Sequence, residues 1–305
     1  MKGKDLVSIA DLSGEDIWQL INRAVGLKKT GRSSALAGKS LALIFEKPSL
    51  RTRVSFDIAM HQLGGHAIYL SDAEVGLGKR EPVADVARVL SRYVDGIAAR
   101  TFAHRTVELL AQHATVPVIN ALSDREHPCQ ALGDLLTIYE KKGELKGLTL
   151  AYIGDGNNVA NSLLLAASLV GMNFSIASPD GYRIPDAILK RAQGFAVKSG
   201  ARILGTALPQ EAARGADVLY TDVWTSMGQE AEAQQRRIAF AGYQIDAALL
   251  AQAGKDALIM HPLPAHHGEE VAPGILDSPQ SVVFDQAENR LHAQKAVLLE
   301  LVARP

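Results

Sequence analysis

The chain has 305 residues, 47% of them hydrophobic, which suggests about two domains, each able to build its own core. Lys and Arg number 32 against 33 Asp and Glu, so no basic field recommends nucleic acid as a partner and any anion site has to be local. The single cysteine, Cys129, excludes an internal disulfide framework and a cysteine-rich zinc site and fits a reducing compartment. The opening M-K-G-K-D-L-V-S has neither the apolar core of a signal peptide nor the look of a transit peptide, and no apolar run reaches the ~18 residues of a membrane span. A cytoplasmic protein, with neither membrane nor nucleic acid as partner, is the expectation.

In chain order, strand-like runs at 41–45, 67–70, 96–100 and 116–122 each precede an amphipathic stretch, the βαβ rhythm of a parallel sheet. After the polar Glu140-Lys141-Lys142-Gly143-Glu144 the rhythm restarts at 148–154 and continues at 174–177, 201–204, 218–221 and 257–260. The predicted fold is therefore α/β, with two doubly wound parallel-sheet domains, residues 1–143 and 144–286. A helical run of residues 287–305, after the apolar Val282–Phe284, is long enough to cross back to the first domain. In such sheets ligands sit at the carboxyl ends of the strands, so the strand-to-helix junctions should carry the chemistry.

The first junction, Lys47-Pro48-Ser49-Leu50-Arg51-Thr52-Arg53, opens a helix with two hydroxyls and two guanidinium groups where unpaired N–H groups and the positive dipole end also lie, an anion site suited to phosphate. Arg51 and Arg53 lie two apart and do not share a helix face, so one of them, Arg51, is expected to point at the ligand. A capped helix with solvated arginines is the plainer alternative. Arg100 ends a strand, as a surface residue or as a ligand clamp. In Glu126-His127-Pro128-Cys129-Gln130, Pro128 suits a first helical turn and puts His127 and Gln130 at its mouth, one to polarise an oxygen and the other to read an amide. Cys129 is a poor nucleophile candidate without an electropositive setting.

In the second half, Gly154-Asp155-Gly156-Asn157-Asn158 matches a dinucleotide fingerprint only in part, since Val159 stands where a third glycine or alanine belongs, although Asp180 falls at a plausible distance for a ribose. The asparagines suit a zwitterionic amino acid better. Asp222, in Asp222-Val223-Trp224-Thr225-Ser226-Met227-Gly228, is a natural partner for an α-ammonium group, with an N-cap role as its alternative. The stretch from His261 to Glu270 has three histidines and two acids, but it lacks H-E-x-x-H or a comparable spacing, and Pro262 and Pro264 impose an extended loop, so no metal is expected. Arg290 is expected at the opening of the last helix, where it does not help the dipole and so suits a ligand.

Taken in order, S-x-R-T-R, R-T-F, H-P-x-Q, G-D-G-N-N, D-x-W-x-S-M-G and H-x-L-P-A-H-x-G-E-E resemble the carbamoyltransferases over nearly the whole chain, and the second-half motifs resemble the ornithine enzymes among them. The resemblance implies transfer of the carbamoyl group of carbamoyl phosphate to the δ-amine of L-ornithine, giving citrulline and phosphate, by two domains closing over the substrates in a homotrimer or a multiple of one. It assigns Ser49, Leu50, Arg51, Thr52, Arg100, His127, Gln130 and Arg290 to carbamoyl phosphate, with Thr52, Arg100 and His127 stabilising the developing oxyanion. It assigns Asn158, Asp222, Ser226 and Met227 to ornithine, and His261, Pro262 and Leu263 to the loop beside the reacting amine. No cofactor is implied. Three positions depart from the commoner pattern: Pro262 replaces a cysteine, Leu50 a threonine, and Gly76 a glutamine that in relatives reaches a neighbouring subunit. An acylated ornithine or another amine is the alternative substrate, and a dinucleotide-dependent oxidoreductase is the alternative of a different class.

Overall fold

A computed structural model describes residues 5–226 and 228–303, and the chain separates into two compact units, Met1–Leu136 with Glu288–Pro305, and Thr137–Ala287. The first holds strands β1 (Ser40–Phe45), β2 (His66–Ser71), β3 (Gly96–Arg100) and β4 (Val118–Leu122) in the order β2-β1-β3-β4. The second holds β5 (Thr149–Ile153), β6 (Asn173–Ala177), β7 (Ile203–Thr206), β8 (Val218–Tyr220) and β9 (Leu258–Met260) in the order β7-β6-β5-β8-β9. Every pairing is parallel. Among the described residues no helix is long and apolar enough to cross a membrane.

Central strands covered on both faces should read as continuous apolar runs, and β1, with Leu41 to Phe45 all buried, does so. Helix Val83–Leu90 and helix His104–His113 lay Val86, Ala87, Val107 and Leu110 against Ala42, Ile44, Ile97 and Ala99 of this sheet. Each such Leu, Ile or Val contributes about 1.5–3 kcal/mol when fully buried. The second sheet carries an aromatic row on one face, Tyr152 stacking on Tyr220 at 5.5 Å and lying 6.4 Å from Phe174. Its other core is built on Ile153, Leu219 and Phe240, with Trp224 stacked on Phe240 at 5.8 Å.

The unit division differs from the expected one because two helices run through it. Helix Pro128–Lys142 continues past Leu136, and helix Val283–Leu301 begins before Glu288. The polar segment 140–144 holds the end of helix Pro128–Lys142, where the main chain turns at Gly143 (φ 81°). The apolar Val282–Phe284 forms no strand: Ser281 makes an isolated bridge to Ile259, and Val283 already starts the helix.

Candidate functional site

In the first unit the predicted anion residues converge at the carboxyl ends of β1, β3 and β4. Ser49 is the N-cap of helix Leu50–Gln62; its hydroxyl accepts from Thr52 N–H at 3.3 Å and donates to Thr52 Oγ1 at 3.1 Å. Thr52 is buried, and Arg290 Nη2 donates to its Oγ1 at 2.7 Å. Leu50 is 76% exposed, so only its backbone N–H, the first of the helix, lies where an anion would bind. Of the two arginines, Arg51 is close enough to Arg100 to act on its charge, while the Arg53 guanidinium lies 3.8 Å over the Tyr69 ring.

Arg100 owes its aim to an irregularity. Ala99 pairs with Asn120 but Arg100 with Leu122, so Ala121 is an extra residue of the kind that bends a strand and redirects a side chain. The next loop is tied down by Glu126, whose buried carboxylate accepts from Ser8 Oγ and from Ile9 N–H at 2.9 Å. His127 and Gln130 follow, both buried at the start of helix Pro128–Lys142. Gln130 Nε2 donates to Asp134 at 2.9 Å, leaving its buried Oε1, like Arg100 Nε, without a hydrogen-bond partner in the structure.

Several positive charges act on one another here. Burial, then the charges of Arg290 and Arg51, pushes the Arg100 guanidinium down to about 10. Burial, then Arg290, Arg100 and Lys47, holds His127 well below the usual histidine range, so its imidazole is neutral at physiological pH. Lys47, absent from the predicted set, is itself buried and lowered by burial and by Arg100. The chain signalled it only by its place inside the same junction.

Arg290 does not open its helix, as expected from sequence, but lies two turns in, where helix Pro128–Lys142 passes closest. A β-carbon on Gly133 would stand 3.3 Å from Arg290 Cα and N, so the glycine is what admits that approach. Cys129 faces the core, its Sγ 3.9 Å from Asn120 O, and burial pushes its thiol up to about 12. It is no nucleophile at neutral pH.

In the second unit Asn157, which sequence reasoning passed over in favour of Asn158, is the central asparagine. Its Oδ1 caps helix Asn158–Val170 by accepting from Val159 and Ala160 N–H at 3.0 and 3.1 Å, and its Nδ2 donates to Asp222 at 2.8 Å. Asn158 is the first helical residue and half-buried. Burial raises the Asp222 carboxyl, and the charge of His261 with the bonds from Asn157 and Val223 N–H offsets part of that. Ser226 is half-buried with its N–H on Gln229 Oε1 at 3.1 Å; Met227 lies outside the described residues.

Arg236, also missed, binds this region together. Its Nη1 donates to Asp155 at 2.7 Å and to Trp224 O at 3.0 Å, and its Nε to Glu232 at 3.0 Å. His261 turns inward: its Nδ1 accepts from Leu263 N–H at 2.9 Å, and its Nε2 faces Glu270 Oε1 at 3.1 Å. Pro262 is buried and Leu263 half-buried in the loop beyond, with Leu263 in the left-handed region at φ 54°, a conformation that costs a non-glycine residue about 1 kcal/mol or more.

The dinucleotide alternative fails on Gly156. A β-carbon there would lie 2.4 Å from Ile184 N and 2.5 Å from Arg183 C, so that glycine serves the close passage of the chain's own backbone where a pyrophosphate would have to approach. Asp180 instead pairs with Arg183 at 2.6 Å on the surface.

Family models match both parts of the chain. Residues 4–140 match the carbamoyl-phosphate-binding domain of the aspartate/ornithine carbamoyltransferases, and residues 146–301 match their aspartate/ornithine-binding domain. The ornithine carbamoyltransferase of Anoxybacillus flavithermus is 56% identical over 306 residues, covering 99% of this chain and 98% of its own. Among solved structures, the ornithine carbamoyltransferase of Pyrococcus furiosus superimposes with a TM-score of 0.95 at 51% identity, covering 98% of this chain and 96% of the other. That of Thermus thermophilus gives 0.91 at 50% identity, covering 99% and 100%.

Proposed function

The chain belongs to the aspartate/ornithine carbamoyltransferase family, and from that premise we propose that the first unit binds carbamoyl phosphate through the residues around Thr52 and that the second selects L-ornithine through Asp222. The activity is transfer of the carbamoyl group to the δ-amine, giving citrulline and phosphate. The carrying observation is the gathering of Arg51, Arg100, Arg290 and Lys47 around Thr52 and a neutral His127.

Attack forms a bond from the δ-nitrogen to the carbamoyl carbon, and the carbon–oxygen bond to phosphate then breaks. Negative charge develops on the carbonyl oxygen while phosphate already carries its own. Arg51, Lys47 and the N–H groups at Ser49–Thr52 meet the phosphate; Thr52, Arg100 and His127 meet the carbonyl oxygen, as fixed donors of the kind that remove several kcal/mol from a barrier. A neutral imidazole suits that role, since it offers an N–H without surrendering its proton. Gln130 Oε1 is free to accept from the carbamoyl NH₂. A free alkylamine has a pKa near ~10.4, so the bound δ-amine has to be desolvated to react, and its proton leaves on the phosphate.

Asp222 serves the α-ammonium group, and an aspartate substrate, with its anionic side chain, gains nothing from it. The assembly follows the family expectation of a homotrimer or a multiple. An apolar stripe supports it: Leu50, Val54 and Ile58, four apart on one helix, are 76%, 49% and 38% exposed. A cytoplasmic setting accords with the single, buried cysteine.

A citrulline assay offering ornithine, acetylornithine, succinylornithine, aspartate and putrescine in parallel tests the reading. Ornithine should be preferred by about 100-fold or more over amines without a free α-ammonium group, and Asp222→Asn should erase most of that preference. A faster reaction with an acylated ornithine would overturn the choice of substrate while leaving the anion site intact.

A further inference from the structure

The histidine- and acid-rich stretch after β9 has no metal-binding helix, yet the fold supplies another device. The chain turns tightly between the bridge partners His267 and Val271, with Gly268 at φ 93° donating to Val271 O at 2.8 Å. That turn gathers His266, Glu269 and Glu270, so that one ligand atom from each lies within 4.8 Å of the other two. Each carboxylate has one oxygen committed elsewhere. Glu269 Oε1 takes Arg237 at 2.8–2.9 Å, and Glu270 Oε1 takes His261 Nε2 at 3.1 Å and His266 N–H at 2.6 Å. The other oxygens face His266 Nδ1, Glu269 Oε2 at 3.9 Å and Glu270 Oε2 at 4.0 Å. Glu270 is fully buried, and its Oε2 has no hydrogen-bond partner in the structure. A desolvated carboxylate oxygen left in that state calls for a cation.

We propose that His266 Nδ1, Glu269 Oε2 and Glu270 Oε2 form a binding site for one divalent cation of the zinc class. One imidazole nitrogen with two carboxylate oxygens is a donor set zinc accepts, and His266, 49% exposed, leaves an open side for water to complete a tetrahedron. Zinc bonds of ~2.0–2.2 Å place ligand atoms about 3.4 Å apart, so each edge to His266 has to shorten by about 0.5 Å. The partly exposed His266 and Glu269 side chains can supply that movement. Magnesium and calcium prefer more ligands and all-oxygen sets. Because the second oxygen of Glu270 holds His261, the ion braces the turn beneath the His261–Leu263 loop. The site stands independently of carbamoyl transfer.

The test uses the full chain, stripped by a chelator and titrated calorimetrically with zinc chloride, with metal content counted after gel filtration and magnesium chloride run in parallel. One zinc per chain is expected, weakened about tenfold or more in His266→Ala and in Glu269→Gln. His267→Ala, which removes the adjacent exposed imidazole, should leave it unchanged. Absence of zinc binding, binding unaltered in both ligand variants, equal loss in His267→Ala, or displacement of zinc by equimolar magnesium would each overturn the proposal. The thermal midpoint of each metal-free variant shows that a loss of binding is not a loss of fold.

Discussion

The two substrate regions are built on opposite electrostatic plans. Around Thr52 the protein gathers like charges that lower one another's proton affinity, with a buried arginine nitrogen and a buried amide oxygen lacking internal partners. Around Asp222 most of the charge is met from within: Asn157 donates to Asp222, Arg236 to Asp155, and His261 faces one oxygen of Glu270. The first arrangement is costly without a counter-ion, which the phosphate of the proposed substrate would supply. The second is largely paired from within, and on the proposed reading would select by position and shape. Substitutions in the first should therefore change affinity with little loss of stability, whereas breaking the internal pairs of the second should cost stability.

The largest effect expected on this view is on the stability of the second region. Arg236→Met leaves Asp155 and Glu232 without their cation, and removing one partner of a buried pair costs about 3–5 kcal/mol. Denaturant unfolding measures it. A loss under about 1 kcal/mol would remove the contrast, because that is the scale of an exposed ion pair.

Next in size is anion affinity. Arg51→Met should weaken binding of carbamoyl phosphate, read by calorimetry, by about 2–5 kcal/mol. Arg53→Met forfeits the contact with Tyr69, about 0.5–1 kcal/mol of stability, and should leave the affinity nearly intact. Equal affinity losses in the two variants would show that both arginines face the ligand.

The smallest effect belongs to Cys129. Its thiol, raised to about 12, is neutral at physiological pH, so thiol reagents should label the folded protein slowly, and Cys129→Ala should keep its activity while escaping inactivation. A folded but inactive Cys129→Ala protein would make the sulfur a participant.

The strands, and the grouping of Ser49, Arg51 and Thr52 at one helix start, were legible because both are local properties. A run such as Leu41–Phe45 declares a buried strand by itself, and Ser49, Arg51 and Thr52 sit within one helical turn. The part Asn157 plays beside Asn158 is not local: that its side chain meets Asp222 depends on β5 and β8 lying side by side. Arg236 and Glu270 act on residues far along the chain or folded back by a turn, and nothing in their own neighbourhoods sets them apart from surface charges. Arg290 lies inside its helix and not at its start, and the close passage of Gly133 beside it is a long-range contact that its own neighbourhood does not announce.

The chain has two tryptophans, and they differ in kind. Trp18 rides half-buried on helix Gly14–Thr30, while Trp224 is packed on Phe240 with its carbonyl held by Arg236, between Asp222 and Ser226. One of the two native fluorophores is thus wired into the loop proposed to bind the amine, and the emission of Trp224, isolated by replacing Trp18 with phenylalanine, makes the unlabelled protein an optical reporter of events at that loop.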